Sequence, residues 1–389
     1  MSEKRKDKKG RKLKEGESQR KNGSYDYRYT DRQGKRRSVY ATTLDELREK
    51  EEQIKRDLED GIDYTAGEIT VIELMERYFS QKQGVRNTTK IGYNFVTNLM
   101  KKEDFAYRHI KDIKTSDAKI FLIKLHNDGR KYSTITTVRG VLRPAFEMAV
   151  EDDIVRRNPF SFRVVDVVPN DSVTRKALSP EDKEKFVNYL KNDKCRSRYC
   201  DEVAILLGTG LRVSELYGLT LSDIDFKQCR IRVNKQLQRT EHCKYYVEKP
   251  KTESGERFIP ILSDDVYQAF KNVIKKRKTP RVELIIDGYT GFLFLDKDGK
   301  PKVAGHLEHA MKRIVDKYNA THDDQLPPVT PHVLRHTFCT DMADADLNIK
   351  SLQYLMGHSD AYTTLNTYTH SSYNAAEKAL AKVLNVSNG

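Results

Sequence analysis

The chain has 389 residues, of which 37% are hydrophobic and 33% are charged, and its formal net charge is +14. A chain of this length is expected to form two or three domains. The sequence lacks both a run of about 18 apolar residues and the apolar centre of a signal peptide. We therefore expect neither a membrane span nor secretion, and we expect a cytoplasmic location.

The positive charge is concentrated at the start of the chain. Residues 1–40 contain 15 lysines and arginines against 6 acidic residues. A solvated disordered tail or an anionic membrane contact would fit this composition. A nucleic-acid-binding arm fits it better, because contacts to phosphates release counterions and dominate the affinity for DNA or RNA.

The first predicted elements are strands followed by a helix. Tyr25, Tyr27 and Tyr29 alternate on one face of residues 24–30, and residues 35–41 form a partner strand. Thr43 and Glu46 have the spacing of a capping box, which predicts that a helix begins there. We expect a small three-stranded sheet that carries one helix.

Residues 69–165 have the periodicity of about four helices joined by short polar links, which predicts a compact bundle. In the second of these helices, Ile91, Phe95 and Leu99 share one face. Pro144 is expected to kink the fourth helix. The helical pattern is then lost, and we assign residues 166–176 to a linker.

The last part of the chain begins with a helix, for which Ser179 is the expected N-cap. Three β-like runs follow at residues 229–238, 242–250 and 257–262, and the pattern is helical from residue 304 onward. The predicted fold class is therefore multidomain α+β, with a mainly helical last domain that contains a small antiparallel sheet.

Three short segments carry residues suited to phosphate chemistry. In "GTGLRVSEL" (208–216), Arg212 stands at a tight turn between two helices, and the Walker pattern is absent. Arg212 is either solvated at an ordinary corner or positioned to donate two hydrogen bonds to a phosphate.

The second segment is "PHVLRH" (331–336), where Thr330 and Pro331 predict a helix start. Leu334, Phe338 and Met342 recur every four residues and should face the core. His332 and Arg335 should then share an exposed face, where they could bind a phosphate. A metal site formed by His332 and His336 is the alternative, although Val333 replaces the glutamate of the HExxH motif.

The third segment is "GHSDAYTTLNTYTHSSY" (357–373). Gly357 is expected to end an apolar helix, and His358 follows where the chain leaves it. Three tyrosines lie in this stretch, namely Tyr362, Tyr368 and Tyr373.

Together, G-T-G-L-R-V-S-E-L, H-x-x-R-H, L-M-G-H-S and T-Y-T-H resemble the tyrosine recombinase/integrase family, especially integrases of conjugative transposons and of the phage lambda type. The resemblance implies four segments in chain order. They are a basic arm-type DNA-binding domain (1–66), a helical core-binding domain (67–165), the linker (166–176) and a catalytic domain (177–389).

The resemblance also implies roles around one scissile phosphate. Arg212 and Arg335 match the two family arginines that stabilise the transition state, and Tyr368 matches the nucleophile. The general base is His332, and His358 positions the phosphate or the tyrosine. The general acid is Lys251, with Lys249 two residues away as the alternative.

The implied reaction needs no metal, because Arg212 and Arg335 stabilise the charge on the phosphate, and it needs no ATP, because the 3′-phosphotyrosyl bond conserves the energy of the broken bond. The implied partners are double-stranded DNA at core-type and arm-type sites, three further copies of the chain in a tetramer, and an accessory excision factor or host DNA-bending protein. Residues 372–385 predict an amphipathic helix that docks either on its own domain or on a neighbouring subunit.

The sequence gives less support to three other functions. A type IB topoisomerase would use the same chemistry but has no need of a second DNA-binding domain. A non-catalytic DNA-binding regulator would not need Arg212, Arg335 and Tyr368 together. A metal-dependent nuclease would need clustered carboxylates. The five cysteines have no CxxC spacing and are expected to be reduced thiols and not zinc ligands.

Overall fold

The computed structural model describes residues 5–30, 34–59, 68–172, 176–240, 243–250 and 255–359. The chain divides into two compact units, Met1–Val173 and Thr174–Gly389. Among the described residues, none of the helices combines the length and the apolar character needed to cross a membrane.

The first unit begins with a three-stranded antiparallel sheet in the order β1-β2-β3, as predicted. Tyr25 and Tyr27 are buried against the helix that follows, together with Leu44 and Leu47. These elements are β1 (Glu17–Gln19), β2 (Tyr25–Thr30), β3 (Arg36–Ala41) and α1 (Leu44–Glu59).

The start of α1 differs from the expected capping box by one residue. The Thr43 hydroxyl accepts a hydrogen bond from the Glu46 backbone N–H at 3.2 Å, as expected. The Glu46 carboxylate reaches back to the backbone N–H of Thr42, also at 3.2 Å. The first bond satisfies a donor that the first turn of a helix leaves without a partner, and the second satisfies the N–H of the residue just before the cap.

Four α-helices complete the first unit and confirm the predicted bundle. The face predicted for α3 is wrong, because Ile91 and Phe95 are exposed and burial falls on Val96, Leu99 and Met100 near the end of the helix. Helix α5 continues through Pro144 without interruption. The helices are α2 (Val71–Ser80), α3 (Asn87–Met100), α4 (Thr115–Asn127) and α5 (Tyr132–Glu151).

The second unit is mainly helical, as predicted. Ser179 accepts a hydrogen bond from the Asp182 N–H and caps the first helix, with Pro180 at its first position. Within the described residues of this unit, the helices are α6 (Pro180–Asn192), α7 (Cys200–Thr209), α8 (Val213–Gly218), α9 (Asp264–Lys276), α10 (Ala304–Asn319), α11 (Pro331–Asp344) and α12 (Ile349–Met356).

Two small antiparallel sheets lie between α8 and α9 in the chain. One has the order β4-β5-β8 and the other pairs β6 with β7. The predicted single run 229–238 is therefore wrong. It divides at Lys235, whose buried ammonium group binds Asp223 at 2.5 Å. The strands are β4 (Ile224–Asp225), β5 (Arg230–Val233), β6 (Gln236–Arg239), β7 (Tyr245–Glu248) and β8 (Arg257–Pro260).

Two glycines of the second unit allow a matched test of close packing. Both have positive φ, 63° at Gly210 and 84° at Gly288. A Cβ atom on Gly210 would lie 2.3 Å from the Phe338 ring, whereas one on Gly288 would have no atom within 4 Å.

Gly288→Ala should lower the free energy of unfolding by about 1–2 kcal/mol, because only backbone strain is added. Gly210→Ala should lower it by a further ~1–3 kcal/mol, because Phe338 must also move. Denaturant titration of the full chain measures both. Equal losses in the two variants would contradict the packing described here.

Candidate active site

The first residue of the site is fixed by a corner between two helices. Helix α7 ends at Gly210, which has left-handed backbone angles, and α8 begins directly after Arg212. The corner predicted from the sequence is therefore present. The Arg212 side chain is about one-third exposed, so it is neither buried in the core nor freely solvated.

Arg335 lies on α11, which begins at the predicted position. The Thr330 hydroxyl accepts a hydrogen bond from the Val333 N–H at 3.2 Å and caps the helix, with Pro331 next. The expectation that Arg335 is exposed is wrong. Only 4% of the residue is accessible, because α7 packs against α11 and covers this side of the helix.

The buried guanidinium group of Arg335 joins two helix ends. It donates hydrogen bonds to the Gly210 carbonyl at 2.6 Å and to the Met356 carbonyl. Its Nη2 also lies 3.0 Å from Nε2 of His358. Because a guanidinium group can only donate, this histidine nitrogen is the acceptor, and the ring proton is on Nδ1.

His358 follows a second left-handed glycine. Helix α12 ends at Gly357, whose φ is 58°, as predicted for a C-cap. The Gly357 carbonyl accepts a hydrogen bond from Nη2 of Arg212 at 3.2 Å. Three predicted site residues, Arg212, Arg335 and His358, therefore meet although they are far apart in the chain.

A buried carboxylate, Glu215, lies at the centre of this group. It accepts hydrogen bonds from the Arg212 backbone N–H at 2.9 Å and from Nη1 of Arg212 at 2.8 Å. It also accepts two from the buried Arg257, at 3.2 and 2.9 Å. All four acceptor positions of an ionised carboxylate are thus filled.

The cluster is strongly positive. Burial alone would raise the pKa of Glu215, but Arg257 and Arg212 outweigh it and lower the pKa to about 2. Burial and the neighbouring Arg212 lower the pKa of Arg335 to about 9, so Arg335 remains protonated at neutral pH. Three guanidinium groups and one carboxylate leave two net positive charges, which suits a phosphate that gains negative charge in a transition state.

His358 is neutral at pH 7 in this environment. Burial, followed by the charges of Arg335 and Arg212, lowers the pKa of its imidazole to about 4. A neutral imidazole adds no further positive charge to the cluster. It can hold a phosphate or a tyrosine through a hydrogen bond.

The remaining predicted residues fall into two groups. His332 is exposed, one helical turn before Arg335, and Lys249 is exposed just after β7. Lys251 and Tyr368 lie outside the described residues. So do Tyr362, Tyr373 and the predicted helix 372–385.

Reasoning from the sequence missed two residues of the cluster. Glu215 stands three residues after Arg212, which is the spacing of a capping box and could have indicated it. Arg257 shares the buried face of β8 with Ile259. A charged residue on a buried strand face is uncommon and could have indicated a buried ion pair.

In the described part of the chain, neither the pair His332 and His336 nor the cysteines are joined by enough further ligands to form a metal site. Within those residues, His, Cys, Asp and Glu side chains form no group of three or more that could hold a metal ion. The ring nitrogen Nδ1 of His336 is buried without a hydrogen bond to any described atom. None of the five cysteines, all of which lie in the described residues, forms a disulfide bond.

Comparison with known proteins agrees with this fold. Residues 176–375 match the phage integrase family, and residues 1–58 match the DNA binding domain of Tn916 integrase. The chain therefore belongs to the phage integrase family and is a tyrosine recombinase, an enzyme of DNA integration and recombination, as the motifs indicated.

The similarity to transposon proteins extends over nearly the whole chain. The transposase from transposon Tn916 of Enterococcus faecalis is 43% identical over 390 residues, covering 97% of this chain and 96% of that protein. The transposase from transposon Tn1545 of Streptococcus pneumoniae gives the same figures. A structure of Tn1549 transposon integrase with transposon right end DNA is 40% identical, with a TM-score of 0.76, and covers 82% of this chain and all of that one.

The low pKa of His358 predicts a specific dependence of stability on pH. Folded His358 binds a proton near pH 4, whereas an unfolded histidine does so near 6.5. Its contribution to the free energy of unfolding is therefore complete above pH 6.5 and is lost as the pH falls toward 4.

His358→Gln should reduce the fall in the melting temperature of the full chain between these two pH values. His309→Gln, at an exposed position on α10, is the control and should keep the wild-type slope. A slope that is identical in wild type and His358→Gln would contradict the assigned pKa.

Proposed function

We propose that this chain is a site-specific recombinase that excises and integrates a mobile element through a 3′-phosphotyrosyl intermediate. One observation carries the proposal. Two guanidinium groups, those of Arg212 and Arg335, meet beside a neutral His358 and leave a net positive charge suited to one phosphate. The identity of 43% to transposases over nearly the whole chain supports the type of element.

In the proposed first step, the Tyr368 hydroxyl oxygen attacks a backbone phosphorus of DNA. A bond from this oxygen to phosphorus forms, and the bond from phosphorus to the 5′ oxygen breaks. His332 accepts the tyrosine proton, and Lys251 donates a proton to the departing 5′ oxygen. Arg212 and Arg335 donate to the non-bridging oxygens, where negative charge increases in the transition state.

His358 has a positioning role in this scheme. Its Nε2 accepts from Arg335, which leaves the Nδ1 proton as its donor. His358 thereby fixes the Arg335 guanidinium group and can orient either the phosphate or Tyr368. Lys249 is the alternative for the acid if Lys251 proves dispensable.

The intermediate needs no external energy source. A phosphotyrosyl diester is similar in energy to the phosphodiester that it replaces, so a 5′ hydroxyl of another strand can reverse the step without ATP. We propose that two such exchanges, with a Holliday junction between them, occur in a homotetramer on two DNA sites. The metal-independent chemistry of the two arginines is part of the same proposal.

We assign the DNA contacts by domain. Residues 1–66 would bind arm-type sites, in line with their positive charge and the match of residues 1–58. Residues 67–165 would bind core-type sites, residues 166–176 would link the two parts, and residues 177–389 would cleave. The chain would act in the bacterial cytoplasm on nucleoid DNA, with an accessory excision factor or host DNA-bending protein.

The covalent step can be tested with a nicked duplex that carries a candidate core site. Cleavage next to the nick releases a short fragment and traps the protein on DNA, which denaturing electrophoresis detects. We expect an adduct in the presence of EDTA, none with Tyr368→Phe, and wild-type amounts with Tyr362→Phe and Tyr373→Phe. An adduct that survives Tyr368→Phe or requires a divalent metal would refute the proposal.

The role of Arg212 can be tested without removing its charge. Arg212→Lys should lower the single-turnover cleavage rate about 100- to 1000-fold, because a lysine cannot donate two parallel hydrogen bonds. Binding to the same duplex should change little. Arg232→Lys, at an exposed arginine paired with Glu256, is the control and should cleave normally. A normal rate for Arg212→Lys would contradict the assigned role.

A further inference from the structure

Arg257 makes an unusually complete set of buried hydrogen bonds. Its side chain has no accessible surface. Its Nε donates to the Leu355 carbonyl at 2.7 Å, and Nη1 donates to the Gly255 carbonyl at 3.2 Å. Nη1 and Nη2 also donate to the two oxygens of Glu215. Four of the five N–H groups of the guanidinium thus have described partners.

These bonds join three separate parts of the second unit. Arg257 is the first residue of β8, Glu215 lies in α8, and Leu355 lies in the last turn of α12. Arg257 also lies close to the end of α12. A Cβ atom added to Gly357, which caps α12, would be only 2.8 Å from Nη1 of Arg257. Arg257 therefore supports both the Arg212 corner and the corner that carries His358.

Stability alone is a weak explanation for this arrangement. Burying an ion pair removes two charges from water, and well-packed apolar residues in the same place are often as stabilising. Ile259, which shares the buried face of β8, belongs to the apolar core. An apolar side chain at position 257 would continue that core, so the ion pair calls for another reason.

Arg257 also cannot act on DNA directly. A side chain with no accessible surface cannot reach a phosphate bound at the surface of the cluster. It contacts Glu215, and Glu215 in turn holds both the backbone N–H and the guanidinium group of Arg212. Any effect on the phosphate must pass through these neighbours.

We propose that Arg257 is a positioning residue for strand cleavage, which orients Arg212 through Glu215 and fixes the Gly357–His358 corner through the Leu355 carbonyl. This inference rests on the proposed function. Arg257 stays hidden beneath the phosphate site throughout the reaction, and its charge compensates Glu215 so that Arg212 is free to bind the phosphate.

The test compares Arg257→Met with wild type in the nicked-duplex assay. We expect cleavage to fall about 100-fold while binding to the same duplex is retained, which is the low end of the loss that follows removal of one transition-state contact. Arg257→Lys should recover only part of the rate. A wild-type rate in both variants would overturn the inference, while absence of adduct in wild type would instead overturn the proposed function.

A double-mutant cycle separates positioning from general destabilisation. If Arg257 acts in part through Arg212, then Arg257→Met should slow cleavage less in an Arg212→Lys background than in wild type, and only the part of its effect that passes through the Gly357–His358 corner should remain. Multiplied losses would show that Arg257 does not act through Arg212 and would overturn the inference.

Two further variants distinguish a loss of positioning from a loss of folded protein. Arg277→Met removes an arginine whose side chain is only 3% exposed, which pairs with Glu283 at 2.8 Å and donates to the Phe292 carbonyl at 2.9 Å. It should be destabilised yet cleave normally. The double variant Glu215→Gln with Arg257→Met removes one buried negative and one buried positive charge together and keeps the net charge of the cluster, so it should fold and still cleave slowly. Normal cleavage by a folded double variant would overturn the inference.

Discussion

The site depends on one buried carboxylate, Glu215, which holds two arginines directly and lies beside a third. Like charges this close would repel one another in a medium of low dielectric constant, and burial would favour their neutral forms. Glu215 stays ionised because four hydrogen bonds from Arg212 and Arg257 fill its acceptor positions. The excess of positive charge can therefore persist among these largely buried groups.

The fold supplies the geometry that this charge needs. The α7–α8 corner, β8, α11 and the end of α12 each contribute one part of the cluster, so no single element could form it alone. Gly210 and Gly357 both have left-handed backbone angles, and the carbonyls of Gly210 and Met356 receive the Arg335 guanidinium group. In the proposed function, donors that the protein itself already holds in position would lower the reorganisation that the reaction requires.

Local sequence signals predicted much of this structure. Residue types alone predict the caps at Ser179 and Thr330 and the helix end at Gly357, because a cap depends on its immediate neighbours in the chain. The three motifs also indicate Arg212, Arg335 and His358 as site residues, although the sequence does not show that these residues lie close together. Short-range chemistry and motif resemblance together were sufficient for those residues.

Long-range packing could not be predicted in the same way. Helical periodicity shows that Arg335 lies off the Leu334 stripe, but only the tertiary fold reveals that α7 covers that side. The Glu215–Arg257 pair joins residues 42 positions apart without any shared local pattern. Similarly, the run 229–238 divides at Lys235, which is buried and binds Asp223, and strand propensity does not reveal such a contact.

The most direct measurement is a crystal structure of the full chain trapped covalently on its DNA site. The account predicts a phosphorus atom bonded to the Tyr368 hydroxyl oxygen, with the guanidinium groups of Arg212 and Arg335 both donating to its non-bridging oxygens at about 2.7–2.9 Å. A phosphate attached to another residue, or one that neither arginine contacts, would contradict it.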